Sequence, residues 1–255
     1  MAKKYILGVD VGGSGIKGGL VDVQKGEMVT ERFRLETPQP ATPKAMAKTF
    51  SEVVAHFKYK GRVGCGFPAI VKKGVAHSAA NIDKKWINTD IAGLFGKASG
   101  CPVSVLNDAD AAGLASIYFG LAEGRKDMVL FLTIGSGIGS ALFYGGKLIP
   151  NTEFGHVFMQ GHQEIAERYA ADSARKREEL SWTDWGNRFN EYLQYICRLL
   201  SPDLIVLGGG ISNNFDKFQD CLHVDTKIEP STMKNMAGII GAAVYAAQQD
   251  KAKSK

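Results

Sequence analysis

The chain has 255 residues, 45% hydrophobic and 22% charged, with 30 glycines, 8 prolines, 4 cysteines and a formal net charge of +5. Apolar content this high excludes a mainly disordered chain, and a chain this long needs neither disulfides nor metal to close a core. No apolar run is long enough to span a bilayer, Asp10 interrupts the N-terminal apolar run short of a signal-peptide core, and the charge falls to +2 outside residues 251–255. A cytoplasmic protein is expected, with no support for nucleic-acid or membrane binding.

Residues 5–11, 15–23 and 27–35 predict three short strands joined by glycine-containing turns. Thr42-Pro43 then supplies an N-cap with proline at the first helical position, and Met46, Phe50, Val53, Val54 and Phe57 recur at helical spacing. Buried strands are expected over 62–67 and 103–106, separated by an irregular segment from 68 to 90 and a short helix near 91–98. An Ala-rich helix follows from Asp108 to about Leu121.

The opening pattern then returns, with strands expected at 128–134, 139–144 and 147–149. Val11-Gly12-Gly13-Ser14-Gly15-Ile16 and Ile134-Gly135-Ser136-Gly137-Ile138 are nearly one phrase, which points to a duplicated domain. Phe189, Tyr192, Leu193, Ile196, Leu199 and Leu200 form a later helical stripe; residues 204–207 form a buried strand running into Gly208-Gly209-Gly210, and 237–248 a final helix. Strands alternating with helices predict an α/β protein with a mixed sheet in each of two lobes. The expected division is a smaller lobe over 1–106, with the final helix a candidate to pack back on it, a larger lobe over 107–250 and a basic tail, 251–255, expected to be solvated. Cys65, Cys101, Cys197 and Cys221 lack CxxC spacing and read as plain thiols.

The first glycine phrase runs from Asp10 to Gly19. Without Cβ atoms, Gly12, Gly13 and Gly15 let backbone N–H groups approach phosphate oxygens, and Ser14 and Lys17 add side-chain donors. It is not a Walker loop, because the GKS/GKT ending and the following helix are missing. Asp10, at the strand end, is placed to hold Mg²⁺ through water. An ordinary hairpin with a turn aspartate is the plain alternative. The second copy, with Thr133, Gly135, Ser136 and Gly137, strengthens the functional reading: two such hairpins facing each other across a cleft suit a polyphosphoryl donor. Gly209 and Gly210 are a third candidate contact, against the alternative of a helix-entry turn.

Asn107-Asp108-Ala109-Asp110 follows a buried strand and opens a helix. Asp108 is the candidate general base for a substrate hydroxyl, and helix capping explains one of these polar residues better than all three, Asp110 being the expected structural one. The loop Asn151–His156 carries Glu153 and His156, planar polar groups of the kind that pair with sugar hydroxyls, and Asn81 could reach a sugar from the first lobe. Of the basic clusters, Arg175-Lys176-Arg177 reads as a solvated helix face, and Lys84-Lys85 is the better polyanion candidate.

Together the Asp10–Gly19, Asn107–Gly113, Thr133–Ala141 and Asn151–His156 motifs, with Ser201-Pro202-Asp203 leading into Gly208–Gly210, resemble the ROK-family sugar kinases across nearly the whole chain. Residues 66–90 and 178–186 are similar to stretches of the polyphosphate glucokinase branch. The resemblance implies an actin-like ATPase (ribonuclease H-like) duplicated fold, two lobes with mixed sheets flanking a cleft. It implies a phosphotransferase that moves a terminal phosphoryl group from inorganic polyphosphate, and from ATP as a possible second donor, to the 6-hydroxyl of glucose. Asp108 then corresponds to the catalytic base and, with Asn81, Asn107, Glu153, His156 and Glu167, to the sugar contacts. The glycine hairpins would hold the donor and Mg²⁺, and the assembly implied is a homodimer. The cysteine-rich zinc segment that usually follows the Gly-His pair is replaced by Val157–His162, so no zinc is expected. An ATP-only hexose or N-acetylhexosamine kinase and a non-catalytic sugar sensor remain the alternatives.

Overall fold

The computed structural model describes residues 4–80 and 82–253. The chain divides into two compact units, Met1–Phe119 with Met236–Lys255, and Gly120–Asn235.

The first unit opens with β1 (Tyr5–Val11), β2 (Gly15–Asp22), β3 (Glu27–Met28) and β4 (Phe33–Glu36). β1 and β2 pair antiparallel from Tyr5↔Asp22 to Val11↔Ile16, so the Gly12-Gly13-Ser14 turn is the tip of a hairpin. The single third strand expected over 27–35 is two short strands, both on β2. They part where the Leu20 N–H donates to the Thr30 hydroxyl, at 3.1 Å, instead of to a ladder carbonyl.

Helix α1 (Pro43–His56) starts as its residues dictate: the Thr42 hydroxyl accepts from the Ala45 N–H, Pro43 occupies the first turn, and Met46, Phe50, Val53 and Val54 are buried. β5 (Val63–Phe67) follows. In the segment expected to be irregular, β6 (Val71–Lys72) and β7 (Val75–Ala76) form a small hairpin. Next come α2 (Ile91–Ser99), β8 (Val103–Asn107) and α3 (Asp108–Phe119). The sheet order is β3-β2-β1-β5-β8, with β5 parallel to both β1 and β8.

The second unit repeats this plan. β9 (Val129–Ile134), β10 (Ile138–Tyr144) and β11 (Lys147–Ile149) form an antiparallel meander. After α4 (Ala166–Ala170), α5 (Asp172–Arg177) and α6 (Trp182–Leu200), β12 (Leu204–Gly208) and β13 (Lys227–Pro230) add in parallel, giving the order β11-β10-β9-β12-β13. Along both strand orders two antiparallel pairings are followed by two parallel ones, with β4 an extra antiparallel strand on β2 in the first unit, so the repeated glycine phrase marks a repeated topology. α6 buries Trp185, Phe189, Tyr192, Leu193 and Ile196. Leu199, placed on that stripe by its spacing, is 54% exposed, because it lies at the stripe's edge in the last turn.

The chain then returns to the first unit as α7 (Ala237–Lys253), which runs past the expected end at 248 into residues read as tail. Bare backbone lets α7 lie directly on its neighbours. A Cβ on Gly8 would stand 2.0 Å from the Ile239 carbonyl oxygen, one on Gly64 1.8 Å from that of Ala242, and one on Gly241 1.6 Å from that of Ala111. This packing joins α3 and α7 to the first sheet. The boundary accordingly falls at Phe119/Gly120, not after residue 106.

Candidate active site

In the first unit, parallel strands β1, β5 and β8 bring Asp10, Gly66 and Asn107 to one end of the sheet: Asp10 pairs with Gly66, and Phe67 with Asn107. Asp10 is an ion-pair partner of Lys17, with Nζ 3.3 Å from Oδ2. Its carboxylate lies against the first turn of α7, where a Cβ on Gly238 would come within 3.0 Å of Asp10 Cγ. A Cβ on Gly66 would stand 3.6 Å from Asp108 Cα and 4.0 Å from Asp10 Oδ1, so this glycine keeps the space between the two aspartates clear.

Asn107 is the cap of α3. Its Oδ1 accepts from the Ala109 and Asp110 N–H groups at 2.8 and 3.0 Å, while its Nδ2 donates to the Ala69 carbonyl at 3.2 Å. Asp110, expected to be structural, is 1% exposed within α3. Asp108, the first residue of α3, is only half-buried. The hairpin tip is braced from beside: the Gly12 N–H donates to the Gly15 carbonyl at 3.0 Å, and the Thr37 hydroxyl to the Gly12 carbonyl. Asn81 lies outside the described residues.

In the second unit the Asn151–His156 loop is stapled to β10. Ser140 Oγ donates to the Thr152 carbonyl at 2.7 Å and accepts from the Phe154 N–H at 3.0 Å, and Thr152 Oγ1 donates back to the Ser140 carbonyl. That loop sets His156 between two carboxylates, with Nδ1 3.5 Å from Glu153 Oε2 and Nε2 3.5 Å from Glu167 Oε1. Burial pushes the Glu153 carboxyl above the usual glutamate range, opposed by the charge of His156 and assisted by that of Glu167. Glu167, a sugar contact by the resemblance, is only 15% exposed at its side chain, and its Oε2 accepts from the Ile138 N–H at 3.1 Å.

Glu167 therefore touches the second glycine hairpin as well as His156. The same hairpin is held by Ser173, whose N–H and hydroxyl donate to the Gly135 and Ser136 carbonyls at 3.1 and 2.8 Å. The third glycine motif comes to it too. Gly208 pairs with Thr133, and Gly209, at φ +78°, passes so close that a Cβ there would be 2.7 Å from the Ile134 carbonyl oxygen. Gly210 begins a 3₁₀ helix, Gly210–Lys217. Thr133, Gly135, Ser136, Gly137, Gly209 and Gly210 thus form one cluster inside this unit.

The two basic clusters differ. Asp172 pairs with Arg175 and Lys176 at 2.8 and 2.7 Å, and Glu178 with Arg177 at 2.6 Å, whereas Lys84 and Lys85 are exposed on a short 3₁₀ turn. No helix among the described residues is long and apolar enough to cross a membrane.

Two units of one topology, each with a glycine hairpin between its first two strands, define the duplicated α/β fold of the actin-like ATPases. The ROK family profile matches residues 6–171, and the chain belongs to that family. It is 44% identical over 243 residues to the polyphosphate glucokinase of Mycobacterium tuberculosis (strain CDC 1551 / Oshkosh), a match covering 95% of this chain and 91% of that protein. Among solved structures, it is similar to the inorganic polyphosphate/ATP-glucomannokinase of Arthrobacter sp. strain KM, with a TM-score of 0.92, 46% identity, and 97% and 100% of the two chains covered. A ROK family glucokinase from Streptomyces griseus, solved with glucose and AMPPNP, shares the fold at a TM-score of 0.80 and 23% identity, over 96% of this chain and 99% of that one.

Proposed function

We propose that the protein transfers the terminal phosphoryl group of inorganic polyphosphate to the 6-hydroxyl of glucose, giving glucose 6-phosphate, and that ATP serves as a second donor. The observation that carries this reading is the half-buried Asp108 at the head of α3, across Gly66 from Asp10, in a chain 44% identical to a polyphosphate glucokinase. Asp108 takes the proton of the glucose 6-hydroxyl as that oxygen attacks the terminal phosphorus. The bond to the bridging oxygen breaks, and the polyphosphate leaves one phosphate shorter.

Phosphoryl transfer asks mainly for positioning and charge stabilisation, so the donor contacts matter as much as the base. Gly12, Gly13, Ser14, Gly15 and Lys17 in the first unit, and Thr133, Gly135, Ser136, Gly137, Gly209 and Gly210 in the second, are the proposed donor contacts. Glucose is held by Asn81, Asn107, Glu153, His156 and Glu167. With its Oδ1 and one Nδ2 hydrogen occupied, Asn107 keeps, among the described residues, one N–H for a sugar hydroxyl.

Among the described residues no group of three or more His, Cys, Asp or Glu is arranged to hold a metal ion. Mg²⁺ binds readily through one carboxylate, waters and donor phosphates, and Asp10, in β1 and paired with Lys17, would be the carboxylate for it. The ion would neutralise charge on the donor oxygens. The four cysteines are all free thiols, which supports a cytoplasmic setting. A homodimer is the assembly the family resemblance carries.

Parallel assays of glucose 6-phosphate formation with polyphosphate and with ATP, each with Mg²⁺, test the reading. Turnover with both is expected; turnover with ATP alone would remove polyphosphate from the assignment, and turnover with neither would remove the kinase reading.

Glu153 adds a pH dependence. Its folded-state pKa is raised, so the stability this group contributes is complete below the ordinary glutamate value and is lost as pH rises through the raised one. Glucose needs the ionised form as a hydrogen-bond acceptor. The glucose Kd is therefore expected to rise as pH falls through a value above the ordinary glutamate pKa of about 4.3, and Glu153→Gln should flatten that limb. Titration of glucose binding against pH checks this, and an unchanged limb in the variant would clear Glu153 of the role.

A further inference from the structure

The row of residues beside the first glycine hairpin contains a cation that the donor assignment above does not use. Lys17 on β2 is the register partner of Asp10 on β1 and of Arg34 on β4. Residues directly opposite one another on antiparallel strands project from the same face, so Arg34, Lys17 and Asp10 form one row. One carboxylate therefore serves two cations. Lys17 takes it, at 3.3 Å, and Arg34 has no carboxylate partner among the described residues. Like charges directly opposite each other are destabilising unless an anion offsets them.

Arg34 is nevertheless held in place. Its Nη2 donates to the Ser14 carbonyl at 2.7 Å, and its guanidinium fills the space a Gly15 Cβ would need, that position lying 2.6 Å from Nε and 3.0 Å from Cζ. The residue stays exposed. One of its five N–H donors goes to the hairpin, and the others have no protein acceptor among the described residues. A fixed guanidinium with unspent donors, next to an ammonium, at a turn where nothing lies within 4 Å of a Gly13 Cβ, matches a phosphate oxyanion, which arginine binds through paired hydrogen bonds.

We propose that Arg34 is a donor-binding residue that contacts a phosphate group of the phosphoryl donor at the Gly12–Gly15 hairpin, together with Lys17. The inference rests on reading that hairpin as a donor contact. It adds a side chain that the motif itself does not contain.

The test compares the wild type with Arg34→Gln and Thr37→Val, using inorganic tripolyphosphate and ATP as probes in calorimetric binding and in steady-state kinetics. Thr37→Val removes the other side-chain brace on the hairpin, the hydrogen bond to the Gly12 carbonyl, and leaves every charge in place. Arg34→Gln is expected to raise the donor Kd and KM about 10-fold or more, with the difference shrinking at high ionic strength. Glucose affinity should stay unchanged, and Thr37→Val should not reproduce the salt-sensitive loss. An unchanged donor affinity in Arg34→Gln, or a loss independent of salt and matched by Thr37→Val, would overturn the proposal. If the wild type binds and uses ATP alone, the polyphosphate reading fails while Arg34 is still decided by its ATP arm. If it binds neither donor, the hairpin reading and the role of Arg34 fall together.

Discussion

Asp108→Asn is expected to lower kcat for glucose phosphorylation by about 10²–10⁴-fold, the range a positioned general base contributes, while glucose affinity changes little. The substitution keeps size and shape while removing the negative charge and the capacity to take a proton. The local fold should tolerate it, because α3 is capped by Asn107 and not by Asp108, and an amide oxygen can still accept the Ala109 N–H that Asp108 Oδ1 accepts at 2.8 Å. Steady-state kinetics and glucose binding on the same preparation separate the two effects. A kcat within about 3-fold of wild type would remove Asp108 from the base role. A parallel loss of glucose affinity would make it a sugar ligand first.

A large effect on stability is expected at Gly64, where β5 meets the backbone of α7. Gly64→Ala would place a methyl carbon 1.8 Å from the Ala242 carbonyl oxygen and 2.3 Å from its carbon, both backbone atoms of α7. No side-chain rotation can relieve that contact, so α7 must lift off β5, at a cost of about 3 kcal/mol or more. For a chain of this size that corresponds to a fall in Tm of roughly 6–12 °C. Function should suffer with it, because the first turn of α7 carries Gly238 against the Asp10 carboxylate. Gly13→Ala is the control: no atom lies within 4 Å of its new carbon, so the Tm should hold. Thermal melts of the two variants decide the matter, and equal Tm values would show that the close approach of α7 carries no such cost.

Much of this fold can be read in the chain because its signals are local. Thr42-Pro43 starts α1, continuously buried runs mark the central strands, and the repeated glycine phrase announces two hairpins whose pairing order turns out to be the same. What escaped is non-local or short. β13 is four residues, Lys227–Pro230, half of them charged, with an edge-strand proline and no periodicity to detect. The unit boundary depends on Gly241 meeting Ala111, a contact between positions far apart in sequence that no local pattern signals.

The site shows the same division. Asp10 and both glycine hairpins could be found by motif, but Asn, Asp and Asp are equally good caps on residue type, and only the two N–H groups converging on Asn107 Oδ1 show which one caps α3. Glu167 reads locally as a surface helix residue, and its hydrogen bond to the Ile138 N–H is a tertiary contact. Arg34 looks like an ordinary polar position in a short strand until β4 is registered against β2, opposite Lys17.

The most direct measurement is ³¹P NMR of the wild-type protein with glucose, Mg²⁺ and polyphosphate in the complete absence of nucleotide. The expected result is a glucose 6-phosphate signal that grows as polyphosphate is consumed, with no matching rise in orthophosphate. Orthophosphate released without glucose 6-phosphate, or no change until ATP is added, would contradict transfer from polyphosphate to glucose.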